Sequence, residues 1–107
     1  MIGTKIKKIS VQEFKKINKR NIKLIDVREP DEFEATQIPN AINVPMKTLL
    51  KFPEDHIKGK TYIVCQSGSR SNKVVKKLSK KFDVVSVKGG TSDFGRHFPL
   101  IRRSKLK

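Results

Sequence analysis

Tyr62-Ile63-Val64-Cys65-Gln66-Ser67-Gly68-Ser69-Arg70-Ser71 is the stretch on which the reading of this chain turns. It opens as an apolar run and ends at a thiol. A loop of small and polar residues with one glycine follows, then an arginine, then an amphipathic helical pattern. A strand that hands over to a helix in this way leaves its last side chain above the helix's first turn. Unpaired backbone N–H groups and the helix dipole make such a place electropositive, and a sulfur held there is favoured as the thiolate. A cysteine kept only for core packing has no need of a Gly-Ser-Arg turn behind it.

Working outward, short β-branched runs alternate with helical patterns along the chain. Lys7-Lys8-Ile9 reads as a first short strand. Ser10 and Glu13 form a capping-box pattern, with Val11, Phe14 and Ile17 recurring at helical spacing behind them. Ile22 to Val27 reads as a buried strand ending in Arg28. Pro30 suits a first helical position, and Asp31-Glu32-Phe33-Glu34 continues an acidic-fronted helix. Ala41 to Val44 is a brief strand stopped by Pro45, and Lys47 to Leu50 a helical turn. Thr61 to Cys65 is the most β-like run. Asn72 to Lys80 reads as a helix with Val74, Val75 and Leu78 inward and lysines outward. Asp83 to Val87 is the last strand, closed by Gly89-Gly90. Phe14, Phe33 and Phe82 are most simply core. This alternation predicts an α/β fold with a mostly parallel central sheet of about five strands and helices on both faces. Ligands of such sheets sit at the carboxyl ends of the strands, so Asp26-Val27-Arg28, Cys65 and Gly89-Gly90 are expected to gather at one rim.

The 107 residues suit a single domain with a modest core, expected over about 6–100 and followed by a mobile basic tail at about 101–107. The 25 Lys+Arg exceed the 10 Asp+Glu by 15 charges, which draws anions of any size. One Tyr and no Trp give no base-stacking platform, so nucleic acid is not expected as a partner. No apolar stretch approaches the ~20 residues of a membrane span, and Met1-Ile2-Gly3-Thr4-Lys5 carries no apolar segment of the signal-peptide kind. One cysteine rules out an intramolecular disulfide and a cysteine-based zinc site. The expectation is a cytoplasmic protein whose thiol stays reduced, with no metal, no cofactor and no membrane partner, acting as a monomer or weak dimer.

Four segments taken together resemble the rhodanese family, in its small single-domain members. Leu24 to Phe33 is similar to the family's Asp-x-Arg segment and following helix, and Ile38 to Pro45 to its Ile-Pro-Gly-Ala segment. Cys65 to Arg70 resembles the six-residue Cys-x-x-Gly-x-Arg active-site loop, and Gly89-Gly90 with Phe94 the C-terminal Gly-Gly…Trp segment. The departures are Thr36-Gln37 in place of Gly-His, Asn40 in place of Gly, and Phe94 in place of Trp. The resemblance implies transfer of sulfane sulfur through a cysteine persulfide, between a small sulfur-containing anion or persulfide donor and a thiol or cyanide acceptor.

The residues support that chemistry on their own. A Cys65 thiolate is able to attack the outer sulfur of thiosulfate or take sulfur from a persulfide. Successive N–H groups from Gln66 through Ser67, Gly68, Ser69 and Arg70 to Ser71 are expected to form a nest for the anionic product. Arg70 is expected to attract an anionic donor or bind a carboxylate at the rim. Asp26 is expected to orient the loop by hydrogen bonds through Arg70, and Arg28 to pair with Glu32. His56 and His97 stand in no Cys–His arrangement, which argues against a thiol protease. With one cysteine, a persulfide on Cys65 is not resolvable within the chain as a disulfide, so an external acceptor is required. Two other readings are a non-enzymatic module of the same fold and a cysteine phosphatase or arsenate reductase. The latter use Cys-x5-Arg, whereas four residues separate Cys65 from Arg70.

Overall fold

In the computed structural model, residues 5–18 and 21–103 are described. Five parallel strands form the central sheet in the order β1-β6-β5-β2-β4: β1 (Lys8–Ile9), β2 (Leu24–Asp26), β4 (Ala41–Asn43), β5 (Thr61–Val64) and β6 (Val84–Val87). β2, β5 and β6 are buried along their whole length. That is why they read in the sequence as continuous apolar runs rather than alternating ones.

Successive side chains on these strands still serve opposite faces. Leu24, Tyr62, Val64, Val85 and Val87 pack with Val11 and Phe14 of α1 (Val11–Ile17) and with Phe94 of α5 (Gly90–His97). Ile25, Ile63, Cys65 and Val84 pack with Leu49 of α3 (Met46–Lys51) and with Val74, Val75 and Leu78 of α4 (Ser69–Leu78). Phe14 meets Tyr62 edge to face with ring centroids 5.4 Å apart. The Ser10 hydroxyl caps α1 by accepting from the Glu13 N–H at 3.0 Å, as the capping pattern predicts. Phe33 and Phe82 are half-buried rather than core, Phe82 lying against the α3–α4 side. No helix among the described residues is long and apolar enough to cross a membrane.

Three elements depart from the pattern read in the sequence. α4 begins at Ser69, not Asn72, because Gly68 at φ +107° turns the chain straight from the loop into helix. α5 has no counterpart in that pattern: Phe94 is the only large apolar side chain on its buried face. The segment after Leu100, read as a tail, begins with a short strand. β7 (Ile101–Arg102) pairs antiparallel with β3 (Thr36–Gln37), and the Arg103 N–H reaches the Ala35 carbonyl at 3.2 Å. The rest of the basic tail, 104–107, lies outside the described residues.

Candidate active site

The carboxyl ends of β2, β5 and β6 bring the predicted rim together. Register alone sets much of it, since Asp26 stands beside Val64 and Asn43, and Ile63 beside Ser86. Cys65 follows β5 directly and is only 1% exposed. Its Sγ accepts two backbone N–H groups, from Gly68 at 3.1 Å and Ser71 at 3.3 Å. Both belong to the turn that starts α4, so the groups a helix leaves unpaired at its N-terminus here converge on one sulfur.

The loop is fixed from behind by α5. The Thr91 N–H donates to the Cys65 carbonyl at 2.9 Å, and the Ser92 N–H to the Gln66 carbonyl at 3.0 Å. With these carbonyls tied down, the Gly68 and Ser71 N–H groups are held facing the sulfur. Gly90, at φ +63°, admits this approach: a Cβ there would collide with the Cys65 and Gln66 carbonyl oxygens. Neither α5 nor its two N–H donors figured in the sequence reading.

Beneath the thiol lies a chain of hydroxyls. Ser71 Oγ is 3.7 Å from Cys65 Sγ and 2.8 Å from Ser86 Oγ, and Ser86 donates to Asn72 Oδ1 at 2.7 Å. Ser71 and Ser86 are fully buried. Ser86 and Asn72 were also missed. The available signal was a serine inside the otherwise apolar run Val84-Val85-Ser86-Val87, because a buried hydroxyl implies a partner. Ser67 and Ser69 are exposed on the outer side of the loop.

The charged residues pair differently from the expected arrangement. Arg28 grips Asp26, with Nε 3.1 Å from both carboxylate oxygens and Nη2 2.9 Å from Oδ2. The Asp26–Arg28 pair is essentially removed from water, its side chains 0% and 1% exposed. Arg28 also donates to the Thr36 carbonyl and, at 3.1 Å, to Gln66 Oε1. The Gln66 amide then reaches Ser92 Oγ at 2.6 Å, which joins Arg28 to the loop and to α5. Asn43 Nδ2 donates to the Asp26 and Arg28 carbonyls at 3.0 and 2.9 Å.

Glu32, on α2 (Pro30–Ala35), pairs not with Arg28 but with Arg70. Nη1 and Nη2 of Arg70 bond Oε1 and Oε2 at 2.8 and 3.0 Å. The Arg70 guanidinium, then a backbone bond from Glu29, hold the Glu32 carboxyl down at about 2 against the partial burial that raises it. Arg70 is raised in turn, chiefly by that hydrogen bond to Glu32, with smaller contributions from the charges of Cys65 and Asp26. Asp26, Arg28, Glu32 and Arg70 are thus all electrically within reach of the loop. His97 is exposed, with Nε2 3.7 Å from Asp93, and His56 is half-buried beside the short 3-10 turn at Pro53–Asp55. Among the described residues, no cluster of three His, Cys, Asp or Glu side chains is arranged to hold a metal ion.

The family profile described as Rhodanese-like domain matches residues 10–97. In sequence the chain is similar to Adenylyltransferase and sulfurtransferase MOCS3 of Aedes aegypti, 34% identical over 84 residues covering 70% of this chain and 19% of that protein. It therefore spans only about a fifth of that relative's length. It is also similar to protein YqhL of Bacillus subtilis (strain 168), 33% identical over 93 residues covering 84% of this chain and 73% of YqhL. In three dimensions it resembles a crystal structure of a rhodanese-like domain protein from Staphylococcus aureus, with a TM-score of 0.78 and 32% identity over 92% of this chain and 100% of that one.

Proposed function

Because the chain belongs to the rhodanese-like domain family, we propose that it is a sulfurtransferase that carries sulfane sulfur as a persulfide on Cys65. The observation that carries this reading is the pair of backbone N–H groups, from Gly68 and Ser71, directed at Sγ. Such donors are preorganised for an anionic sulfur and activate it without a general base. Gln66 to Ser71 form the loop that receives the transferred atom. Asp26 and Arg28 are positioning residues that hold the loop through Gln66.

The steps balance without a further reactant. The Cys65 thiolate attacks the outer sulfur of a donor, a Cys65 S–S bond forms, and the donor's S–S bond breaks. Thiosulfate leaves as sulfite, and a persulfide donor leaves as its thiolate. An acceptor thiolate or cyanide then attacks the terminal sulfur and restores the Cys65 thiolate. The near-complete burial of Cys65 supports delivery of a single atom over attack on a bulky electrophile. The phosphatase reading is disfavoured because Arg70, the cation a phosphate cradle needs, is already engaged by Glu32.

Intact-mass measurement of the reduced protein, after incubation with thiosulfate or with a low-molecular-weight persulfide, tests the reading. One added sulfur is expected on the wild type, absent from Cys65→Ser and released by cyanide as thiocyanate. Failure of the folded wild type to take sulfur from either donor overturns it and favours the binding-module alternative.

A further inference from the structure

The chain's net charge of +15 suggests a site that welcomes anions, yet the two arginines that bond to the loop or belong to it, Arg28 and Arg70, are both paired with carboxylates. Arg28 is committed to Asp26 and Arg70 to Glu32, so each of these two guanidiniums is balanced by a carboxylate. Among the lysines of the surplus, Lys73, Lys76 and Lys77 lie on the exposed face of α4, opposite its buried residues Val74, Val75 and Leu78. An incoming anion therefore finds neither Arg28 nor Arg70 without a carboxylate partner.

Of these two arginines, Arg70 is the one within reach of a ligand. It is about one third exposed, whereas Arg28 is sealed. Glu32 engages it with both carboxylate oxygens, the strongest geometry this pair has. Glu32 is itself fixed, because Oε1 also accepts the Glu29 N–H at 2.9 Å in the capping box of α2. A dianion seeking Arg70 has to displace this anchored carboxylate or share the guanidinium with it. A persulfide, which carries at most one charge on its reacting sulfurs, has no such requirement.

We propose that Glu32 is a specificity-determining residue: by occupying Arg70 it turns the site away from dianionic donors such as thiosulfate and toward persulfides that leave as thiolates. This rests on the sulfurtransferase reading of Cys65. In the disfavoured reaction the Cys65 thiolate and thiosulfate give the Cys65 persulfide anion and sulfite. In the favoured one the thiolate and a persulfide anion give the Cys65 persulfide anion and a thiolate. Charge is conserved in both, and only the first brings a doubly charged group to the mouth.

The test compares wild type with Glu32→Gln, in which the glutamine retains the cap on the Glu29 N–H but loses the charge. Rates of sulfur loading are measured with thiosulfate and with hydroxyethyl persulfide. In parallel, Cys65 is alkylated with iodoacetate and with iodoacetamide, reagents that differ in charge. The thiosulfate-to-persulfide rate ratio is expected to rise about tenfold in the variant, the equivalent of one charge-assisted contact. The iodoacetate-to-iodoacetamide ratio is expected to rise with it, by less because iodoacetate carries a single charge. Both gains are expected to disappear in the Glu32→Gln/Arg70→Gln double variant. Ratios that stay level or fall in Glu32→Gln overturn the proposal. Gains that persist in the double variant also overturn it, since they report only the loss of a negative charge. If no donor loads wild-type Cys65, the sulfurtransferase reading fails while the alkylation ratios still decide the role of Glu32.

Discussion

The base and the mouth of the candidate site are each built from one arginine and one carboxylate, and water separates their roles. At the base, Asp26 and Arg28 are sealed, and Arg28 spends its remaining donors on the Thr36 carbonyl and Gln66. At the mouth, Glu32 and Arg70 are each about one third exposed and bond chiefly to each other. Two charges brought out of water need every donor and acceptor satisfied, or the burial is not recovered. The base meets that condition through a network tying β2, the loop and α5 together. The mouth need not meet it, because solvent screens what the partners leave unmet. The same pair of residue types is thus architecture in one place and an adjustable contact in the other.

Breaking the base is the largest effect expected. Arg28→Met leaves the Asp26 carboxylate buried without its cation, a loss of about 3–5 kcal/mol. Replacing both partners, Asp26→Asn with Arg28→Met, is expected to cost less than Arg28→Met alone, since no charge is stranded. Urea unfolding of the three proteins checks the order, and a double variant weaker than Arg28→Met would show that the pair is more than mutual neutralisation. Gly90→Ala comes next, at about 2 kcal/mol. It forces a side chain into a left-handed position and against the Cys65 and Gln66 carbonyls. That pushes α5 off the loop and loosens the donors on Sγ, so the variant should lose sulfur loading beyond its loss of stability. Loading retained at full rate in the folded variant would mean that α5 does not hold the loop.

The sequence made the thiol and its loop plain because strand, turn and helix start lie within ten consecutive residues, Tyr62 to Ser71. The sheet was equally open, since strands buried along their length cannot avoid apolar runs. What stayed hidden was pairing across distance. Glu32 and Arg70 lie 38 positions apart, and no local pattern says which of two arginines faces which carboxylate. Asp26 and Arg28 did carry a signal, because residues two apart in extended chain share a face. The β3–β7 pair escaped because Thr36-Gln37 carries no apolar residue and its partner, Ile101-Arg102, lies far along the chain. α5 escaped because its docking depends on backbone N–H groups and on Gly90, which leave only Phe94 as an apolar trace.

The smallest effect expected is at the mouth, and its pH dependence sharpens the contrast with the base. Glu32 is lowered from 4.5 to about 2 in the folded protein, chiefly by its hydrogen bonds to Arg70. A carboxyl lowered on folding stabilises the protein above its unfolded value, and the gain is lost as pH falls toward the folded value. The wild type should therefore exceed Glu32→Gln in stability by a constant margin above about pH 5, and the two should converge between about pH 4.5 and 2. With a third of each side chain in water, the margin is on the order of 1 kcal/mol and shrinks with added salt. Thermal unfolding of both proteins across that range provides the measurement. A margin that persists unchanged to pH 2, or that salt leaves untouched, would place Glu32 in the same class as the sealed pair beneath it. Glu32 would then stabilise the fold by something other than its charge on Arg70, the pairing through which it is proposed to select donors for Cys65.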